Sequence, residues 1–271
     1  MASSPADAYL HGYHDSVLRS QRWRTAENSA GYLLTRLPAT ARVLDVGCGP
    51  GTITIGLAAR IPAGQVVGVD AAGDVLAAAR QEAEGQPNVR FEEGDAYHLA
   101  FDDGAFDVVH AHQVLQHLSD PVAALTEMRR VCSAGGLIAA RDADYGGMLW
   151  FPEDPELAEW RELYQRAARA LGGEPDAGRR MLSWARAAGF TDIETTASAW
   201  CYAMPGDRSW WGSLWAERLT ESPFGDRAVE RGLATRRDLE RLAGAWRRWA
   251  ASQDGWFLIP HGEILCRVPI S

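Results

Sequence analysis

Three glycines at positions 47, 49 and 51 stand in the run VLDVGCGPGT (43 to 52), where a short apolar stretch enters a glycine-rich turn and continues into a helical pattern. A turn without side chains lets backbone amides approach a bound nucleoside closely. The spacing is GxGxG, whereas the dinucleotide fingerprint GxGxxG sets its third glycine where Thr52 stands. Asp45 adds a charge argument: a carboxylate beside the turn is unfavourable next to a pyrophosphate and favourable near an ammonium or sulfonium group. The same side chain also suits a role orienting backbone amides. The turn therefore fits a cation-bearing nucleoside better than NAD. About twenty residues on, VVGVD (66 to 70) ends in Asp70, the position from which a carboxylate reaches the two hydroxyls of a ribose. GDA (94 to 96) supplies Asp95 as an acceptor for an adenine amino group, and FDVVH (106 to 110) opens onto His112 and Gln113. Cys48 reads as a small residue in a tight turn.

These groups converge only if secondary structure brings them to one edge. From about Ala41, short β-branched or apolar runs at Val43 to Val46, Val66 to Val69, Val89 to Phe91, Phe106 to His110 and Leu137 to Arg141 predict strands. They alternate with helical segments such as Ile53 to Arg60 and Asp74 to Glu84, which argues for an α/β fold with a doubly wound parallel sheet. Ligands of such sheets bind outside the carboxyl ends of the strands. Ahead of this block, Tyr9 to Leu37 reads as a helical cap. After it, Asp154 as N-cap and Pro155 open a helix that ends at Gly172 and Gly173, and a second helix spans Asp176 to Ala188. Phe190 to Tyr202 and Trp256 to Val268 predict two more strands, and between them lies an insert with helices opening near Asp207, Asp226 and Thr235. The chain thus divides into a cap (1–40), a cofactor-binding core (41–145) and a remainder (146–271) carrying the insert at about 205–251. With no repeat or linker between the parts, one domain with a helical insert is the expected organisation.

Taken together, VLDVGCGPG (43 to 51), VVGVD (66 to 70), GDA (94 to 96), FDVVHAHQVLQHLSDP (106 to 121) and GGLIAARDAD (135 to 144) resemble the class I S-adenosylmethionine-dependent methyltransferases. The similar branch comprises ubiquinone/menaquinone-biosynthesis and other small-molecule enzymes, natural-product methyltransferases among them. The resemblance covers under half of the chain and is specific for the cofactor, not for the acceptor. It implies a Rossmann-like sheet of seven strands and S-adenosyl-L-methionine as cofactor. By the family pattern Gly47, Gly49 and Gly51 line the methionine part, Asp70 holds the ribose, and Ala71, Asp95 and Ala96 flank the adenine. His112 or Gln113 lies near the amino acid end.

Methyl transfer from a sulfonium is an in-line displacement, so alignment matters most. Positioning supplies on the order of 7 to 11 kcal/mol, against about 3 to 5 kcal/mol for a general base. His117 is the first candidate base, with Tyr13 as partner, on the resemblance to small-molecule enzymes that latch a histidine after the fourth strand to a cap tyrosine. The alternative is that His117 packs beneath Asp120-Pro121, an N-cap and first helical turn, and Tyr13 only covers the cofactor from the cap. His14 of the cap and Asp142, Asp144 and Tyr145 after the fifth strand are acceptor-side candidates. His110 and His112 share a strand face, while His98 and His261 belong to the background.

Tryptophan divides the chain: of 11, only Trp23 precedes position 150. Trp210, Trp211 and Trp215 recur with Leu214 and Leu219 at helical spacing, as do Trp246 and Trp249 with Leu239 and Leu242, which is first of all a core pattern. Ten tryptophans in one half exceed what a core needs, so a few are expected to wall a cavity for a planar or hydrophobic acceptor. The formal charge of -9 argues against nucleic acid and anionic membranes as partners. Four scattered cysteines form no metal-ligand set, and no apolar run reaches membrane-spanning length. A small-molecule acceptor, a cytoplasmic location, a monomer or homodimer and no metal are expected. The competing functions are an RNA methyltransferase, an NAD-dependent oxidoreductase and a non-catalytic cofactor-binding scaffold.

Overall fold

The computed structural model describes residue 10 and residues 14–270. Its strands are β1 (Arg42–Val46), β2 (Gln65–Asp70), β3 (Val89–Glu93), β4 (Phe106–His112), β5 (Cys132–Ala143), β6 (Leu149–Phe151), β7 (Asp192–Tyr202) and β8 (Trp256–Arg267). The helices are α1 (Asp15–Arg22), α2 (Ala26–Leu34), α3 (Thr52–Arg60), α4 (Gly73–Glu82), α5 (Pro121–Val131), α6 (Pro155–Arg169), α7 (Met181–Ala187), α8 (Pro205–Glu221), α9 (Pro223–Glu230) and α10 (Arg236–Ala251). Strands β1 to β5 are parallel in the order β3-β2-β1-β4-β5, and β8 joins β5 antiparallel. On its other side β8 pairs with the whole of β7, from Asp192↔Arg267 to Tyr202↔Phe257.

The doubly wound sheet is the expected one, with one strand added. β6 pairs Leu149, Trp150 and Phe151 with Leu258, Phe257 and Trp256, continuing along β8 where β5 stops. Three residues are too few to carry a period-two signal, which is why the seven-strand expectation lacks it. The expected helix from Asp176 is split as well, opening as a 3₁₀ turn (Ala177–Arg180) before α7.

Alternation along the strands sorts the core into layers. Leu44, Val46, Val109 and Ile138 face Leu125 and Met128 of α5, whereas Val43, Val108 and Ala139 face Leu33 of α2 and Leu57 of α3. A third cluster is aromatic: Trp160 of α6, Trp215 of α8, Trp246 of α10 and Phe257 of β8 are fully buried against one another. The Trp160 ring meets Trp215 and Trp246 edge-on at 4.5 and 4.7 Å, arrangements that add to the burial gain. The cap joins this part through Trp23, whose ring lies 5.1 Å from Trp200 and 5.6 Å from Trp210. Among the described residues no helix is long and apolar enough to cross a membrane.

Candidate functional site

Gly47, Gly49 and Gly51 follow β1 with φ of 69°, 52° and 81°, a left-handed path that favours glycine. Space forbids side chains at two of them: a Cβ on Gly47 would overlap Val114, and one on Gly51 would lie 2.6 Å from Phe91 Cζ. Gly47 and Cys48 amides donate to the Val69 carbonyl at 2.7 and 3.0 Å, which ties the turn to β2. Asp70 finishes that link, its Oδ2 accepting from Gly49 N at 2.9 Å and its Oδ1 from Ala72 N at 3.0 Å. Burial raises the Asp70 pKa, and the amides of Ala72 and Gly49 oppose that rise. Each oxygen retains a lone pair for a further donor, such as a ribose hydroxyl. At the next strand end Asp95 is exposed, holding Tyr97 N at 2.9 Å, with Ala71 exposed and Ala96 half-buried beside the same crevice edge.

Asp45 lies elsewhere. It shares the Val43 face of β1, is 2% exposed, and accepts from Thr54 Oγ1 at 2.6 Å and from His110 Nδ1 at 2.7 Å. Its carboxylate thus braces β1 against α3 and β4 from beneath the turn, through two side chains rather than backbone amides. His112 occupies the same buried layer, stacked 6.2 Å from His261, and burial followed by the Arg24 and Arg141 charges holds it well below the usual imidazole range.

Gln113 ends β4 in a left-handed conformation, φ 53°. Its Oε1 accepts from Arg24 Nη2 at 2.6 Å, and its Nε2 donates to His261 Nε2 at 2.9 Å. Since His261 Nδ1 donates to the Ile259 carbonyl at 3.1 Å, Nε2 is left as the acceptor. The 3₁₀ turn Leu115–His117 follows. Asp142 of β5 is buried below that turn, and its Oδ1 accepts from Gln116 N at 3.1 Å. Burial pushes the Asp142 carboxyl up to about 7. Gln116 Nε2 donates to His117 Nε2 at 3.0 Å, and burial together with the Arg24 charge pushes His117 down to about 3.

Beside the crevice a cavity opens between cap, sheet edge and insert. Val17, Ser20 and Arg24 line it from the cap, Gln113, Gln116 and His117 from the segment after β4, and Ala143, Tyr145 and Met148 from the end of β5. Trp200, Tyr202 and Ile259 of the outer strands and Trp211 and Arg218 of α8 complete the lining. The structure therefore brings His117 and Gln113 together at one cavity and keeps Asp142 behind its wall. His14 is the N-cap of α1, its Nδ1 2.9 Å from Ser16 Oγ. Asp144 holds Gly147 N and the Arg179 side chain. Tyr13 lies outside the described residues. Sequence reasoning missed Arg24 and Arg218. Arg218 had a readable signal, a charged side chain on the Trp211, Leu214, Trp215 and Leu219 face of α8. Among the described residues no cluster of His, Cys, Asp or Glu could hold a metal.

Comparison with known proteins agrees with this geometry. Residues 43–136 match a methyltransferase-domain family. An uncharacterized methyltransferase of Schizosaccharomyces pombe is 35% identical, aligned over 97% of this chain and 98% of its own length. A demethylmenaquinone methyltransferase of Thermus thermophilus is 36% identical over 56% of this chain and 66% of its own. Phosphoethanolamine N-methyltransferase 2 of Haemonchus contortus, in complex with S-adenosyl-L-methionine, superposes with a TM-score of 0.54 over 92% of this chain and 52% of that one; at 19% identity this is likeness of fold. From the glycine turn, the strand-end carboxylates and a relative matched along its length, the chain belongs to the class I S-adenosylmethionine-dependent methyltransferases.

Proposed function

We propose that the chain methylates a planar or hydrophobic small molecule held in the cavity between α1, α8 and the ends of β4 and β5. The observation carrying this reading is the wall of Tyr145, Trp200, Tyr202 and Trp211 around a cavity that Gln113, Gln116 and His117 line from the segment after β4. Such rings gain about 0.5 to 1.5 kcal/mol per stacked pair beyond burial.

The glycine turn fits the cofactor as a backbone cradle, left-handed at all three glycines and tied to β2. Gly47, Gly49 and Gly51 would line the methionine part, Asp70 would take the ribose, and Asp95 with Ala71 and Ala96 would border the adenine. Arg24, bonded to Gln113, gives the amino acid end a cation suited to a carboxylate. Bound there, S-adenosylmethionine supplies an electrophilic methyl group. The protein's contribution is then alignment, worth on the order of 7 to 11 kcal/mol. His117 enters as a neutral hydrogen-bonding group at the cavity wall, because a pKa of about 3 makes it a weak proton acceptor. Asp142 supports it through the Gln116 amide.

Incubation with S-adenosylmethionine and a panel of planar acceptors, read by mass spectrometry, tests the reading. A gain of one methyl group on planar members is expected, and transfer confined to non-planar polar amines would refute it.

A further inference from the structure

Two side chains of the cavity wall carry a buried polar atom with no hydrogen-bond partner. Tyr202, at the end of β7, is 2% exposed, and among the described residues its hydroxyl meets no hydrogen-bonding group. Gln116, in the turn after β4, is 4% exposed; its Nε2 donates to His117 Nε2 at 3.0 Å, whereas its Oε1 has no partner among the described residues. Buried polar groups are nearly always hydrogen-bonded, because an unmade bond costs the desolvation of the group. Both residues line the same cavity, so a molecule bound there can supply what the chain does not.

Trp211 lines it too, 5% exposed and stacked on Tyr202 at 4.5 Å, and its Nε1 is likewise without a partner among the described residues. The same holds for Nε1 of Trp160 and Trp246, which are fully buried in the aromatic core. An indole thus tolerates burial without a partner, and the hydroxyl and the amide are the more demanding groups.

The three atoms differ in kind: Gln116 Oε1 only accepts, Trp211 Nε1 only donates, and the Tyr202 hydroxyl does either. Burial raises the Tyr202 pKa, opposed first by the Arg24 charge and then by that of Arg218. Cations near the hydroxyl favour an electron-rich atom against it. In the sheet, β5 and β8 stand between β4, which Gln116 follows, and β7, which Tyr202 ends. An acceptor therefore stands on one side of the cavity and donors on the other.

Resting on the reading of this cavity as the acceptor site, we propose that the molecule methylated is a planar compound with a hydroxyl or N–H at one end and a carbonyl oxygen at the other. The first donates to Gln116 Oε1 and the second accepts from the Tyr202 hydroxyl, with the Trp211 N–H as a further donor on that side. Gln116 and Tyr202 are then the residues that choose the acceptor.

The test is calorimetric and does not depend on turnover. The protein saturated with S-adenosylhomocysteine is titrated at slightly acidic pH, where a phenol stays protonated, with three probes. These are 6-hydroxy-2-acetonaphthone, 2-acetonaphthone, which lacks the hydroxyl, and 2-naphthol, which lacks the ketone. The hydroxyketone is expected to bind about five-fold tighter than either, the size of one neutral hydrogen bond. Tyr202→Phe should abolish the advantage over 2-naphthol and keep that over 2-acetonaphthone, and Gln116→Leu should do the reverse. Parallel loss of all three affinities in both variants would mean a merely structural role and overturn the assignment. Equal binding of the three probes by the wild type overturns the proposal and leaves the reading of the cavity standing. No binding of any probe, with S-adenosylhomocysteine still bound, overturns both. If a variant fails to fold, the wild-type comparison of the three probes decides.

Discussion

Arg24 Nη2 donates to Gln113 Oε1 at 2.6 Å, a hydrogen bond that joins the cap to the end of β4. Gln113 passes the contact on to His261 of β8, and does so from a left-handed backbone. Gln113→Ala and Gln113→Gly both lose these bonds, but only glycine adopts this φ without strain. The glycine variant should be the more stable of the two by roughly 0.5 to 1 kcal/mol. Urea unfolding of the pair checks this, and equal midpoints would mean that the turn is unstrained.

Gly51→Ala forces a Cβ to within 2.6 Å of Phe91 Cζ at a φ of 81°. Loss of S-adenosylhomocysteine affinity by about ten-fold or more is expected, in line with several kilocalories of local strain. Adding Phe91→Leu should relieve the clash but not the backbone, and so should restore little. Gly206→Ala, where a Cβ meets nothing within 4 Å, is the control and should bind normally.

Stability should depend on pH through Asp142, with a sign opposite to that of an ion-paired carboxylate. Its folded pKa of about 7 stands above the usual 3.8, so between those values the folded chain binds a proton that the unfolded chain has released. The group's share of stability is therefore full below the lower value and lost as pH rises through 7, by at most about 4 kcal/mol. Asp142→Asn keeps an acceptor for the Gln116 amide and removes the charge. Its melting temperature should exceed that of the wild type above pH 7 and converge with it in acid. A variant less stable than the wild type in alkali would contradict this assignment.

The tryptophans should separate by role. Trp160 is fully buried among Trp215, Trp246 and Phe257, and Trp160→Ala should cost about 3 to 5 kcal/mol with no selective effect on acceptors. Trp211 lines the cavity and stacks on Tyr202 at 4.5 Å. Trp211→Phe should cost less than about 1.5 kcal/mol and change acceptor affinity. Chemical denaturation and acceptor titration on both variants distinguish the two.

How much of this was legible in the sequence varied with the range of the interaction. The glycine turn, Asp70 and the parallel strands are local signals, each a short apolar run with glycine or aspartate at its end. β6 was invisible because three residues have no period and its pairing depends on β8, about a hundred positions on. Strand alternation fixed the face of Asp45, but only the arrival of Thr54 and His110 on that face showed its carboxylate engaged beneath the turn. The stripe on α8 is mostly core, as its helical spacing predicts. Which of its members reach the cavity was decided by the packing of α8 against α1 and β7, and that packing put Arg218 beside Trp211.

Calorimetric titration of S-adenosyl-L-methionine and of NAD into the wild type and Asp70→Ala tests the central claim most directly. The expected result is one-to-one binding of S-adenosyl-L-methionine to the wild type, sharply weaker binding to a variant whose circular dichroism is unchanged, and no heat with NAD. Binding of NAD, or S-adenosyl-L-methionine affinity that ignores the loss of Asp70, would contradict it.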